Sequence, residues 1–79
     1  LPFTVQVGAF SFPENAEQLT SRHARRGVRA RVVGEGGLAK VRVGAYSDED
    51  AAEAQADALR RDGFAALVVR PRAELSQAR

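Results

Sequence analysis

An α+β fold of βαββαβ order is predicted: a split β-α-β arrangement in which a four-stranded antiparallel sheet carries both helices on one face. Three observations lead there. Val5-Gln6-Val7-Gly8-Ala9-Phe10 returns 36 residues later as Val41-Arg42-Val43-Gly44-Ala45-Tyr46. The same offset sets Ser11 on Ser47, Glu14 on Asp50, Gly27 on Gly63, Ala30 on Ala66 and Val32-Val33 on Val68-Val69, so one supersecondary unit is built twice. Within each unit the hydrophobic pattern alternates, changes to a helical stripe and returns to alternation.

The first strand is Phe3 to Gly8, an alternating run rich in β-formers. Ser11-Phe12-Pro13-Glu14 reads as a helix start, with Ser11 as cap, Glu14 completing a capping box and Pro13 tolerated in the first turn. That helix runs to Arg26 and ends at Gly27, with Arg25 and Arg26 at the negative end of its dipole. Val28 to Val33 forms a second alternating strand, and Gly34-Glu35-Gly36-Gly37 a flexible turn. Leu38 to Gly44 is the third strand, and Ser47-Asp48-Glu49-Asp50 a second capping box. The helix after it places Ala52, Ala56 and Leu59 on one stripe and stops at Gly63. Phe64 to Val69 is the last strand, which Pro71 ends. Residues 1–71 are thus expected to form the domain and residues 72–79 a frayed or weakly helical tail. Right-handed crossovers place both helices on the same side. The expected strand order is 4-1-3-2, with the two repeated strands central.

At 79 residues the chain is one domain, near the lower size for a self-sufficient core. It has no cysteine, which excludes a disulfide framework and a Cys-based zinc site, and its single His with no carboxylate cluster gives no metal site. No cofactor is expected. No apolar run approaches the roughly 18 residues of a membrane span, and no signal peptide is read. The start at Leu1-Pro2, without Met, leads to the expectation of a piece of a longer protein. Net charge is +2, but Arg22, Arg25, Arg26, Arg29 and Arg31 crowd together, while Asp48, Glu49, Asp50, Glu53 and Asp57 gather in the second half. Such a basic segment either draws an anionic partner or is a solvated helix face.

Helices on one face leave the other open, and the period of two says what it shows. Phe3, Val5 and Val7 are expected inward, with Thr4, Gln6 and Gly8 outward. The repeat then carries the outward set to Lys40, Arg42 and Gly44. Arg29 and Arg31 are expected outward on the second strand, against Val28, Ala30 and Val32, and Ala65, Leu67 and Val69 outward on the fourth. Gln6 and Arg42 are equivalent, central and adjacent. A Gln among cations, bordered by Leu67 and Val69, is a mixed surface suited to a ligand. Gly8 and Gly44 either admit a close neighbour or bend the chain into each helix.

Phe3-Thr4-Val5-Gln6-Val7-Gly8-Ala9-Phe10-Ser11, the later Lys40-Val41-Arg42-Val43-Gly44-Ala45-Tyr46, and Gly27 and Gly63 closing the helices resemble a SPOR domain over residues 3–70. The resemblance implies a non-catalytic bacterial module that binds peptidoglycan glycan strands stripped of their stem peptides. It further implies tethering to a larger envelope protein, an extracytoplasmic location, and delivery to septal or wall-remodelling sites, as a monomer. On this reading each bared lactyl carboxylate is a partner for Lys40, Arg42, Arg29 or Arg31, Arg being able to pair bidentately. Gln6 offers a donor and an acceptor to N-acetyl groups or hydroxyls. Thr4, Gly8, Ala9, Ser11 and Leu67 complete the candidate set. The family's binding Gln falls on Gln6 and its basic third-strand position on Lys40. The chain departs from the family's common residues at Lys40 (often Arg), Ala39 (an aromatic), Ala9 (Ser) and Ala45 (Pro).

RNA binding is the main competitor, because an RNA-recognition motif has the same element order. That module stacks bases on outward aromatics of its central strands. Here the outward positions are Thr4, Gln6, Lys40 and Arg42, so nucleic acid is not expected. Phe12 is read as a hydrophobic staple rather than a sugar platform, and Tyr46 as a packing residue. No Ser-His-Asp set, phosphate loop or carboxylate pair suggests an enzyme. His23 falls on Leu59 in the repeat and is expected to be packed. A metal-chaperone role lacks its Cys pair, and a small-molecule regulatory domain would be marked by a dimer.

Overall fold

The computed structural model describes residues 2–71; the predicted tail at 72–79 lies outside the described residues. Six elements follow in the predicted order: β1 (Phe3–Phe10), α1 (Pro13–Arg25), β2 (Ala30–Glu35), β3 (Leu38–Tyr46), α2 (Glu49–Arg61) and β4 (Leu67–Val69). They form one four-stranded antiparallel sheet of order β2-β3-β1-β4, so the repeated strands are central as expected. Neither helix is long and apolar enough to cross a membrane.

The core lies between the sheet and the helices. Val5, Val7, Val41 and Val43 supply the sheet side, Ala16 the α1 side, and Ala52, Ala56 and Leu59 the α2 side, all of them buried. Small Ala side chains let α2 approach the sheet closely, and Leu59 fills the remaining space. Burying a Val or Leu contributes about 1.5–3 kcal/mol. Phe3, Phe10, Leu19, Tyr46, Phe64 and Val68 close the margins, half-buried against this core.

Both helices end alike, because the repeat includes their terminators. The N–H of Val28 donates to the His23 carbonyl, and that of Phe64 to the Leu59 carbonyl, across Gly27 (φ +79°) and Gly63 (φ +94°). These are Schellman closures, which require a left-handed residue. The helix starts differ from expectation. Phe12, not Ser11, is the N-cap of α1 and makes no side-chain cap bond. Pro13 follows directly, and placing it at the first helical position moves the cap one residue past Ser11. In α2 the cap is Asp48 rather than Ser47, its Oδ1 accepting from the Ala51 N–H at 2.8 Å. A carboxylate there also meets the positive end of the dipole.

Strand boundaries differ as well, and β1 continues to Phe10, past its expected end at Gly8. β2 begins two residues later than expected and runs through Gly34 and Glu35. The turn shrinks to Gly36-Gly37, both at positive φ (+61° and +79°), and Glu35 pairs with Leu38. Two left-handed residues make the tight hairpin turn that suits strand twist. β3 continues to Tyr46, past its expected end at Gly44. β4 is only Leu67–Val69, because the Schellman closure holds Phe64 against α1, where its ring stacks on His23 at 4.0 Å.

The central pair is not regular. From Phe3 to Val5 its partner moves three places, Tyr46 to Val43; from Gln6 to Gly8 it moves only one, Arg42 to Val41. Each central strand therefore holds one extra residue, β3 near Gly44 and β1 near Gly8, at equivalent positions of the repeat. A bulge turns two successive residues to one face.

Candidate functional site

The register assigns the open face directly, since paired residues share a side. Arg31 pairs with Arg42, Arg42 with Gln6, and Gln6 with Leu67, giving one row across all four strands. Beside it runs Val33, Lys40 and Ala9, then Glu35 and Leu38 at the hairpin end; on the other side Thr4 pairs with Val69. Among the described residues, every charged side chain in these rows stands on β2 or β3.

At the centre, Arg42 Nε donates to Gln6 Oε1 at 3.2 Å. Its NH2 group donates to Glu35 Oε1 at 2.8 Å, and Lys40 Nζ donates to the same oxygen at 2.9 Å. The Arg42 side chain is only 13% exposed, as it lies along the sheet rather than standing from it. The hydrogen bonds from Lys40 and then Arg42 hold the Glu35 carboxyl below the usual carboxylate range. Glu35 was not among the sequence candidates. Its signal was the Gly36-Gly37 pair: a two-residue hairpin extends β2 to Glu35 and gives it the parity of Arg31.

Arg31 faces outward as expected and reaches over the sheet. One of its terminal nitrogens donates to the Gly44 carbonyl and the other to Thr4 Oγ1, each at 3.1 Å. Thr4 consequently departs from expectation: it belongs to the open side but is 7% exposed. Its hydroxyl contacts the carbonyls of Val43 (3.1 Å) and Gly44 (2.8 Å) and accepts from Arg31. The bulge in β3 presents those two carbonyls together, and Thr4 stitches it shut.

Gly8 and Gly44 are also corrected, because both turn toward the helices. A Cβ on Gly8 would stand 2.8 Å from Leu19 Cδ2 and from Phe10 Cε2, and one on Gly44 would overlap the Tyr46 ring. The bulges reverse the parity there, so the reading of these glycines as a ligand approach gives way to packing. Ala9 becomes the exposed residue and pairs with Lys40. Arg29 and Ala65 are exposed but precede β2 and β4 rather than standing in them. Leu67 is 60% exposed beside Gln6. Ser11, exposed, lines a shallow depression of about 370 Å³ with Pro13 and the Gly34–Ala39 hairpin. Val32 pairs with buried Val41 yet is 44% exposed, since the edge strand overhangs the helices. Phe12 is no staple, being 64% exposed. Tyr46 packs as expected, and burial raises its phenol above the usual value.

His23 is on the opposite side and plays no part in this face. It has no exposed surface, and neither ring nitrogen has a hydrogen-bond partner. Phe64 stacks on it, and the guanidinium groups of Arg22 and Arg26 lie 5.8 and 5.6 Å from the Phe64 ring. Desolvation first, then the charges of Arg22 and Arg26, lower its pKa from 6.5. Among the described residues no group of His, Asp or Glu is arranged to hold a metal ion.

The family model described as SPOR domain matches residues 2–70. Among solved structures, the chain is similar to the peptidoglycan binding domain of the B. subtilis cell wall lytic enzyme CwlC, determined in solution. Identity is 37%, the match covers 85% of each chain, and the TM-score is 0.76. Curated protein sequences give no match.

Proposed function

The chain belongs to the SPOR-domain family, and from that premise and the geometry of its open face we propose a non-catalytic module that binds peptidoglycan glycan strands lacking stem peptides. The observation that carries this reading is the row Arg31, Arg42, Gln6 and Leu67 with Lys40 beside it. Removal of a stem peptide bares one lactyl carboxylate on each muramic acid. Lys40, Arg42 and Arg31 supply cations to such groups. Gln6 supplies an amide to N-acetyl groups and hydroxyls, and Leu67 an apolar surface for a sugar ring or methyl group. Among the described residues of the open face no aromatic stands, so base stacking on the central strands has no platform.

The role that follows is attachment. A module of this kind holds a larger envelope protein at sites where the wall is being remodelled, as at the septum, on the outer side of the cytoplasmic membrane. It acts as a monomer, each copy presenting one complete face.

Co-sedimentation tests the reading: the domain is pelleted with intact sacculi and with sacculi whose stem peptides an amidase has removed. Stronger retention on the stripped material is expected. Equal retention on both overturns the preference for bared glycan, and retention on neither overturns peptidoglycan binding.

A further inference from the structure

Among the described residues Glu35 is the one acid on a face otherwise furnished with cations, and it stands at the hairpin end of the edge strand β2. A single oxygen of its carboxylate receives both Lys40 and Arg42. We propose that Glu35 is a specificity-determining residue of this face, an internal counter-carboxylate that occupies Lys40 and Arg42 and so weakens binding of polyanions that bring charge alone. The ligand in this inference is the bared glycan proposed above, and it rests on that reading.

The physical basis is competition within one molecule. Glu35 is fixed to Lys40 and Arg42 by a two-residue turn, Gly36-Gly37, so its carboxylate stays at high effective concentration beside them. An incoming anion meets a cluster of two positive charges and one negative, and either shares the cations or displaces Glu35. A ligand with nothing but carboxylates bears that full cost. A glycan strand carries its carboxylates once per disaccharide and has hydroxyl, amide and apolar groups for Gln6 and Leu67, which Glu35 does not contest. Glu35 therefore lowers both affinities but lowers that of the plain polyanion more, which is discrimination by an unfavourable element.

Side-chain exposure agrees with such a role. Arg42, Lys40 and Glu35 are 13%, 22% and 31% exposed, so the trio is open enough for solution ligands to reach and covered enough that screening does not erase it. Glu35 also lines the shallow depression that Ser11 and Leu38 bound beside the hairpin.

The test compares parent, E35Q and E35A for affinity toward amidase-stripped, solubilised glycan strands and toward poly-L-glutamate, at low and at physiological salt. E35Q preserves shape and removes charge; E35A removes any contact made by the new amide. Both variants are expected to bind stripped glycan roughly three- to fivefold tighter, to gain by a larger factor on polyglutamate, and to show a steeper loss with salt. Weaker glycan binding by both variants, with unfolding midpoints unchanged, would overturn the proposal and make Glu35 a positioning residue for Arg42. Unchanged affinity for both ligands would overturn it too. If the parent ignores stripped glycan, the glycan reading falls, and the polyglutamate comparison still decides whether Glu35 weakens anion binding.

Discussion

Gln6 and Arg42 occupy the same place in the two halves of the repeat, face each other in the sheet register, and are joined by a hydrogen bond from Arg42 Nε to Gln6 Oε1. The internal repeat thus becomes spatial contact at the centre of the open face. Q6A should change stability by no more than about 1 kcal/mol, the net worth of one such bond, and R42A by more, since it also loses the bond to Glu35. Binding to stripped glycan should fall roughly fivefold or more in each, and the double variant should lose less than the product of the two. Isothermal titration with solubilised strands measures all three. Parent-like affinity in both single variants would remove the sheet face from the binding site.

His23 makes stability depend on pH. Its folded-state pKa lies below the unfolded value of 6.5, so the unfolded chain binds the extra proton first. The contribution is full above pH 6.5 and is lost as pH falls from there toward the folded pKa. The charges that face the ring are those of Arg22 and Arg26, and no nearby carboxylate offsets them by hydrogen bonding to it. The repeat names the replacement, since Leu59 holds the equivalent place. H23L should raise stability by about 1–3 kcal/mol, the usual cost of an unsatisfied buried polar group, and abolish the change between pH 7 and pH 5.5. Urea unfolding at a series of pH values reads both effects.

Glu35 titrates in a lower window. Its carboxyl is held below its ordinary value of 4.5 by Lys40 and Arg42, so its stabilising pairing is present above that value and is lost as pH falls through the lowered pKa. In H23L the remaining acid sensitivity should begin only below about pH 5, and E35Q in that background should reduce it further.

Gly44 should resist substitution for two separate reasons. Its φ of +74° disfavours any side chain, and a Cβ there overlaps the Tyr46 ring. G44A should cost about 1–3 kcal/mol. Gly34 has open space around it and no positive φ, so G34A serves as the control and should be near neutral. Equal unfolding midpoints for the two variants would contradict the bulge geometry.

The caps can be separated by single changes. D48A removes the acceptor of the Ala51 N–H and should cost about 1 kcal/mol. S11A and S47A should each leave the midpoint within about 0.5 kcal/mol of the parent. A large loss in S47A with little in D48A would reverse the assignment.

Much of this was legible from residues alone, and the reasons are particular. The strand order followed from two repeated units and crossover handedness, and the buried stripe Ala52, Ala56 and Leu59 from helical spacing. Gln6 beside Arg42 followed from the repeat. Legibility failed where one residue outweighed a pattern. The bulges at Gly8 and Gly44 reverse parity, so a strict period of two puts both glycines on the wrong face. Thr4 was rightly placed outward, but nothing local reveals that Arg31, 27 residues away, covers it. Ser47 and Asp48 are both competent caps, and only geometry chooses between them. Glu35 is hidden in a four-residue loose turn, where two glycines suffice.

The row Arg31, Arg42, Gln6, Leu67 also carries a sense of direction. The repeat offset sends Arg31 to Leu67 and Gln6 to Arg42, so the backbone is nearly self-similar about its centre. The side chains are not: two guanidinium groups lie on one half, an amide and a leucine on the other. A glycan strand likewise has unlike ends. A strand laid on this surface and rotated by half a turn would exchange its ionic and neutral contacts, so the repeat makes the platform nearly symmetric and its unlike side chains give it a direction.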